Sequence, residues 1–221
     1  DIFLPKRTLL MSKRISILGS TGSIGVNALK VASHLKDDLE IVYLSANRNA
    51  ELLIQQAEEF KPEAVCIVEE ASFPNVQNAL VGSDIEILLG REGLLELASR
   101  NNVDILLNGL VGAPGMEPTL IAIEAGINVA LSNKESLVMA GDIIQHAMDK
   151  SGAKLFPVDS EHSAIFQCLH GEPDNSLKKI ILTGSGGPFL ERPLDSFDTI
   201  TKEEALNHPK WNMGNKISID S

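Results

Sequence analysis

Cysteine is scarce in this 221-residue chain: Cys66 and Cys168 are the only two, and neither sits in a C-x-x-C pair. That excludes the disulfide framework of a small secreted domain. Both thiols lie in apolar stretches, AVCIV and IFQCL, and read as reduced, buried side chains of a cytoplasmic protein. Basic residues are short too, 19 Lys and Arg against 30 Asp and Glu, for a net charge of −11. Such a chain has no general affinity for DNA, RNA or anionic lipid, though an anionic small molecule remains compatible if a few basic groups are placed locally. No run approaches the roughly 18 uncharged apolar residues of a membrane span. The opening DIFLPKRTLL lacks an extended apolar region and a small-residue cleavage site, so it is not a secretory signal. Met11 reads as the natural start, with residues 1–11 taken as an extension. There is no internal repeat and no low-complexity segment. What remains, 43% hydrophobic, 22% charged and 4% aromatic, is the composition of one large or two small globular domains.

From Arg14 onward, short β-branched runs alternate with segments of helical period, the mark of a parallel sheet with crossover helices. Strands are expected at Arg14–Leu18, Glu40–Leu44, Ala64–Val68, Asp84–Leu88, Val103–Leu107 and Asn128–Leu131. In the first helix Ile24, Ala28, Val31, Ala32 and Leu35 form an apolar stripe. Another helix is expected over Glu117–Ala125, with Pro118 in its first turn and Gly126 just past its end, and a long one over Glu135–Lys150. At Lys150-Ser151-Gly152 the pattern changes, which places a domain boundary: 12–150 for a first domain and 151–221 for a second. The second is expected to hold strands at Lys154–Pro157, Lys179–Thr183 and Lys216–Asp220 and a helix at Ser163–Leu169. The fold class is α/β: a Rossmann-like doubly wound parallel sheet followed by an incomplete α+β domain.

The first strand runs into Gly19-Ser20-Thr21-Gly22-Ser23-Ile24-Gly25, and a helix begins inside that loop. Gly19 permits a tight turn, Gly22 lets amides approach a pyrophosphate, and Gly25 lets helix pack on strand. A ligand-free glycine-rich turn is the competing reading, but the strand, the helix and the β/α alternation supply the context a dinucleotide site requires. An NAD site has an acidic residue at the end of strand two, roughly 20 residues further on. Here the sequence is Ser45-Ala46-Asn47-Arg48-Asn49, with no acid and with a guanidinium suited to a 2′-phosphate. NADPH is therefore favoured over NADH, the alternative for Arg48 being a solvated arginine at a helix start.

After Phe156-Pro157-Val158 come Asp159-Ser160-Glu161-His162. Carboxylates at i and i+2 in an extended segment can converge on one hard cation, Mg²⁺ or Mn²⁺; equally, they can cap a helix starting near Ser163, and spacing alone favours the cap. Thr183-Gly184-Ser185-Gly186-Gly187-Pro188 offers either an anion nest for a phosphorylated ligand or a tight turn. Ser132-Asn133-Lys134-Glu135 lies at the carboxyl end of a strand, where ligands bind in open α/β sheets, but would also serve as an ordinary helix cap. Trp211, in His208-Pro209-Lys210-Trp211-Asn212-Met213-Gly214, is either a lid over a substrate or a loop anchor.

Taken together, GSTGSIG at 19–25, ALSNKE at 130–135, PVDSEHSAIFQCL at 157–169, LTGSGGPF at 182–189 and HPKWNMGNKISIDS at 208–221 resemble the 1-deoxy-D-xylulose 5-phosphate reductoisomerase family. The likeness runs from about Ser12 to Ser221. It implies an isomeroreductase dependent on NADPH and a divalent metal, converting a phosphorylated sugar, 1-deoxy-D-xylulose 5-phosphate, to 2-C-methyl-D-erythritol 4-phosphate for non-mevalonate isoprenoid synthesis. By the same resemblance Thr21, Gly22, Ser23, Ile24, Asn47, Arg48, Asn49, Asn133, Glu135 and Gly214 match cofactor contacts. Lys134, Ser160, Ser185, His208 and Ser221 match substrate contacts, and Asp159 and Glu161 match two of three carboxylate metal ligands. Lys134 and His208 are also candidate catalytic residues, as is Trp211, which matches the aromatic residue of a mobile loop. The family is homodimeric.

Asn47, Lys210 and Asn215 depart from the family's usual Gly, Asn and basic residue. In the family, Asp220-Ser221 continues into the third metal-binding Glu and a helical domain, so the resemblance implies an N-terminal part with an open metal site, binding NADPH with little turnover. Two other classes compete. One is a non-catalytic NADP-binding or redox-sensing module. The other is a different NADP enzyme, such as a semialdehyde dehydrogenase, which would need a nucleophilic cysteine where Cys168 lies in an apolar helix pattern.

Overall fold

The computed structural model describes residues 12–173, 175–184 and 186–209. Seven strands, β1 (Lys13–Leu18), β2 (Leu39–Ala46), β3 (Ala64–Ile67), β4 (Glu86–Leu89), β5 (Ile105–Asn108), β6 (Asn128–Leu131) and β7 (Leu155–Pro157), form one sheet. Their order is β4-β3-β2-β1-β5-β6-β7, and every pair is parallel. The chain winds outward from β1 to β4 on one side, returns to β5 beside β1, and winds outward to β7 on the other. The crevice above β1 and β5 is thus the point where the winding reverses, the usual ligand site in an open α/β sheet.

The crossovers are α1 (Ser23–His34), α2 (Ala50–Phe60), α3 (Phe73–Ala79), α4 (Gly90–Ser99), α5 (Met116–Glu124) and α6 (Lys134–Ser151), with α7 (Ser160–Leu169) after β7. Parallel strands buried on both faces need apolar residues at consecutive positions, which is why β3 reads Ala-Val-Cys-Ile with all four buried. Ile17, Leu44, Val65 and Ile67 pack with Leu29, Leu53 and Val76 of α1–α3 on one face. Leu18, Cys66, Leu106 and Val129 pack with Leu97, Ile123 and Ile144 of α4–α6 on the other. At the amino end of the sheet Arg14 bonds Glu40 and Glu63, and Tyr43 donates to Asn102 at 2.7 Å. The Arg100 guanidinium stacks on the Tyr43 ring, 5.3 Å from its centroid. No helix among the described residues is long and apolar enough to cross a membrane.

Several expectations change. In α1 the buried face is Gly25, Leu29 and Ala32, while Val31 and Leu35 are exposed; the apolar stripe is rotated because Gly25, with no side chain, is the residue that seats against the loop. Residues 154–157, expected to open the second domain, instead supply β7, whose backbone is satisfied by β6, and the compact unit runs through Cys168. Cys66 is buried, but Cys168 is exposed, since α7 has no buried residue.

The second unit begins at Leu169. Lys179–Thr183 is not a strand: no described segment pairs with it, and Ile180, Ile181 and Leu182 are exposed. An isolated strand cannot satisfy its own backbone. The expected partner at Lys216–Asp220 lies outside the described residues. Order here comes from Arg192, which donates to Glu204 (2.9 Å) and Thr199 (2.9 Å) and covers the Phe189 ring, and from α8 (Lys202–Leu206), capped reciprocally by Thr201 and Glu204.

Candidate active site

The glycine loop leaves β1 at Gly19, whose φ of +78° is a left-handed conformation that side-chain-bearing residues resist. A Cβ there would also meet the Gly109 carbonyl at 3.2 Å. Ser20 is held from three sides. Its amide donates to the Ser45 carbonyl (2.8 Å), its hydroxyl to Gln56 Oε1 (2.6 Å), and its own carbonyl accepts from Gln56 Nε2 (3.0 Å). Gln56 is buried on α2 and was not foreseen from the sequence, where a glutamine beside Ala57 in an apolar stripe was the available signal. Gly22 is the N-cap of α1 and brings no side chain to cap with, so the first-turn amides of Ser23, Ile24 and Gly25 stay directed at the crevice. The Ile24 side chain itself turns into the core.

The crevice is a cleft of about 540 Å³, within the range of small-molecule sites. Gly19, Thr21 and Gly22 form one wall, Ser45, Ala46 and Asn47 the β2 side, and Gly109, Leu110, Val111 and Pro114 the wall after β5. Arg48 is exposed beside Asn47, and its guanidinium makes no ion pair among the described residues. Backbone contacts hold its turn: the Arg48 carbonyl accepts from Ser72 Oγ (3.1 Å) and from Ala50 N (2.9 Å). Asn49 caps α2 by accepting from Leu52 N (3.2 Å). Arg91, also absent from the sequence reading, reaches across the cleft edge to Pro114 O and Glu117, both at 2.7 Å. These residues would hold a dinucleotide, the glycine loop taking the pyrophosphate and Arg48 a 2′-phosphate.

A second cluster lies at the ends of β6 and β7. Lys134 opens α6, and its Nζ is 3.2 Å from Asp159 Oδ2, while His162 Nδ1 is 3.6 Å from Asp159 Oδ1. Burial alone would push the Asp159 carboxyl up. The hydrogen bond and charge of Lys134, the neighbouring Glu161 carboxyl and His162 outweigh it and hold Asp159 below the usual carboxylate range. Ser160 and Glu161 lie in the first turn of α7 rather than in an extended segment, because the helix starts three residues earlier than its apolar period announced. Glu161 nevertheless remains close enough to act on the Asp159 carboxyl. An oxygen-only pair already facing an ammonium suits a hard divalent cation. Among the described residues no third acidic, histidine or cysteine side chain joins to complete a ligand set. A small pocket of about 90 Å³ beside it is lined by Leu131, Lys134, Leu137, Leu155, Pro157 and His162.

Asn133 is buried and its side chain is fully engaged with Leu110, Gly112 and Ser136, so a ligand could meet only its backbone. Glu135 is half-buried on the first turn of α6, and Ser160 is exposed. In the second unit His208 is buried, and Gly186 and Gly187 both have left-handed φ, as a tight turn demands. Ser185, Trp211, Gly214 and Ser221 lie outside the described residues, as do Lys210 and Asn215.

Known proteins share this fold and much of this sequence. The family model described as 1-deoxy-D-xylulose 5-phosphate reductoisomerase matches residues 15–141, and that of the family's C-terminal domain matches 155–221. The chain belongs to the 1-deoxy-D-xylulose 5-phosphate reductoisomerase family. The reductoisomerase of Chloroherpeton thalassium is 49% identical over 209 residues, covering 95% of this chain and 54% of the relative. That of Halothermothrix orenii is 46% identical, covering 96% and 55%. The reductoisomerase of Zymomonas mobilis, solved in complex with NADPH, superposes with a TM-score of 0.87 at 38% identity over 95% of this chain and 54% of its own. A family structure in complex with NADPH, fosmidomycin and magnesium gives 0.83 at 38%, over 94% and 54%. The chain spans about half the length of the curated relatives it matches.

Proposed function

We propose that this chain serves an isomeroreductase that converts 1-deoxy-D-xylulose 5-phosphate to 2-C-methyl-D-erythritol 4-phosphate, in isoprenoid precursor synthesis in the cytoplasm. The observation that carries the reading is the placement of the two sites on one sheet edge. The cleft opens above β1 and β5, and the Lys134–Asp159 pair stands at β6 and β7. Three strand spacings of about 4.8 Å separate β1 from β7, so roughly 14 Å lie between a pyrophosphate on the glycine loop and a cation at Asp159. That is the reach over which an extended dinucleotide brings its nicotinamide to a bound substrate.

In this reading NADPH supplies the hydride and Mg²⁺ or Mn²⁺ the Lewis acidity for the skeletal rearrangement. The chain's own residues do the rest. The α1 amides and Thr21 receive the pyrophosphate, and Arg48 pairs with the 2′-phosphate. Asp159 and Glu161 hold the cation, and Asp159 stays ionised because Lys134 faces it. With the cation bound, the Lys134 ammonium is free to donate to a substrate oxygen. Ser160 adds a hydroxyl, and Ser185, His208 and Ser221 are assigned to the substrate by their family positions, with Trp211 as its cover. Asn133, Glu135 and Gly214 are assigned to the cofactor in the same way. Relatives solved with NADPH and with fosmidomycin and magnesium support the choice of cofactor and cation. The protein acts as a homodimer, and along the chain its cofactor-binding and catalytic parts divide between residues 141 and 155, the gap between the two family models.

Calorimetric titration of the chain with NADPH and NADH tests the cofactor. We expect NADPH to bind at least tenfold more tightly and Arg48→Ala to abolish the difference. Equal affinities in the parent chain would overturn the role of Arg48. For the cation, the Mn²⁺ electron paramagnetic resonance signal should be attenuated by the chain and recover in Asp159→Asn; identical spectra for the two would overturn the metal assignment.

A further inference from the structure

We infer that the buried interlock of Asn108, Thr119 and Asn133 is a positioning device for the nicotinamide half of the cofactor site, an inference that rests on the NADPH reading above. None of the three has a side chain open to the cleft: their exposures are 0%, 0% and 1%. Their hydrogen bonds converge on the segment 109–115, which forms the wall after β5; beyond the Gly109 amide, which donates to Leu18 O (2.9 Å), the segment lies outside the strands of the sheet.

Asn133 Nδ2 donates to the carbonyls of Leu110 (2.8 Å) and Gly112 (2.7 Å). Asn108 Nδ2 donates to Gly115 O (2.8 Å) and Thr119 Oγ1 (2.7 Å), and Asn108 Oδ1 accepts from Leu110 N (3.1 Å). Thr119 Oγ1 in turn donates to Gly115 O (2.9 Å). Each amide hydrogen of both asparagines is used, so the network is closed and admits one loop conformation. Gly115 belongs to it sterically, since a Cβ there would lie 2.6 Å from Asn133 Nδ2.

The network also reaches the second site. Asn133 Oδ1 accepts from the amide and hydroxyl of Ser136 (2.9 and 2.7 Å), so Asn133 caps α6 from the position just before Lys134. One side chain therefore fixes the cleft wall and the helix start that carries the Lys134 ammonium. The half of the cofactor it serves follows from the topology. Arg48, on the β2 side of β1, assigns the adenosine there, so the other nucleoside crosses to the β5 and β6 side, where the interlock lies.

Thr119 touches neither ligand in this scheme and can be changed almost isosterically. Thr119→Val strands an Asn108 donor and leaves the Gly115 carbonyl with one of its two donors, whereas Thr119→Ser keeps both bonds. Titration of the chain with NADPH and with adenosine 2′,5′-bisphosphate separates positioning from general damage. For Thr119→Val and Gly115→Ala we expect NADPH to bind about tenfold more weakly, the size of one stranded buried donor. Adenosine 2′,5′-bisphosphate should stay within about twofold of the parent, and Thr119→Ser should match the parent for both ligands. Unchanged NADPH binding by Thr119→Val and Gly115→Ala, or equal weakening of the two ligands, would overturn the inference. A parent chain that binds the bisphosphate but gains nothing from the nicotinamide half would overturn it too. A parent chain that binds neither ligand would overturn the NADPH reading, and the inference with it.

Discussion

Two glycines three residues apart should fail in different ways when each is replaced by alanine. A Cβ on Gly25 would lie 2.4 Å from Ser20 Cα, 2.5 Å from Gly19 O and 2.6 Å from Ser20 O. All three are backbone atoms of the loop, itself pinned by Ser45 and Gln56, so no side-chain rotation relieves the clash. Carbon contacts settle near 3.5–4.0 Å, so helix and loop must part by about 1 Å, an overpacking of about 1–3 kcal/mol. Alanine returns about 1 kcal/mol of helix propensity, which leaves a net destabilisation of up to about 2 kcal/mol and a displaced loop. At Gly22 the nearest atom to a new Cβ is Gly19 O at 3.4 Å, an ordinary contact, and φ is −80°, open to alanine. Gly22→Ala should therefore unfold in urea within about 0.5 kcal/mol of the parent, in keeping with a surface change. Its methyl group would nonetheless stand where the pyrophosphate approaches, so NADPH binding should fall at least tenfold. Urea midpoints together with NADPH titration read both quantities. A Gly25→Ala chain of parental stability and affinity would refute the steric argument, and a Gly22→Ala chain of parental affinity would refute the placement of the pyrophosphate.

Other outcomes follow from the same geometry. Gln56→Leu removes both bonds to Ser20 and should destabilise the chain by about 1–3 kcal/mol in urea unfolding, whereas a Gln56→Glu chain at low pH, with a protonated carboxyl that keeps one donor, should lose less. Cys168 is exposed while burial pushes the Cys66 thiol up to about 12, so a thiol-disulfide reagent at pH 8 should titrate one cysteine quickly and the second only with unfolding. Asp104 is held below its usual range by the Arg14 amide and Lys13, Glu63 by its bond to Arg14, and Glu86 by its bond to Arg100. Such depressed carboxylates contribute stability above their unfolded values near pH 4, lost as pH falls through the folded ones; the urea midpoint should be flat from pH 7 to 5 and drop below about pH 4.5.

Much of this was legible in the residues. The six strands of the first domain and its long helices followed from apolar periodicity, because burial on both faces forces consecutive β-branched residues. The glycine loop followed from spacing, because three glycines at those intervals have few other uses before a helix. Lys179–Thr183 has the same β-branched content and yet is no strand, since propensity is local and a strand exists only where another backbone satisfies it. Cys168 misled for a related reason: an apolar helix pattern states what a face could bury, not whether anything covers it.

The amino-acid sequence by itself determined the α/β class, the glycine loop and the presence of Arg48 in place of an acid after the second strand, all of which rest on residues close together in the chain. Only the tertiary structure decided that β7 joins the same sheet, that Gln56 holds Ser20, and that Asn108, Thr119 and Asn133 close a network under the cleft wall. It also decided that Asp159 faces Lys134 across 25 positions. Those facts depend on pairs far apart in sequence, and a hydrogen bond between distant polar side chains leaves no periodicity from which to read it.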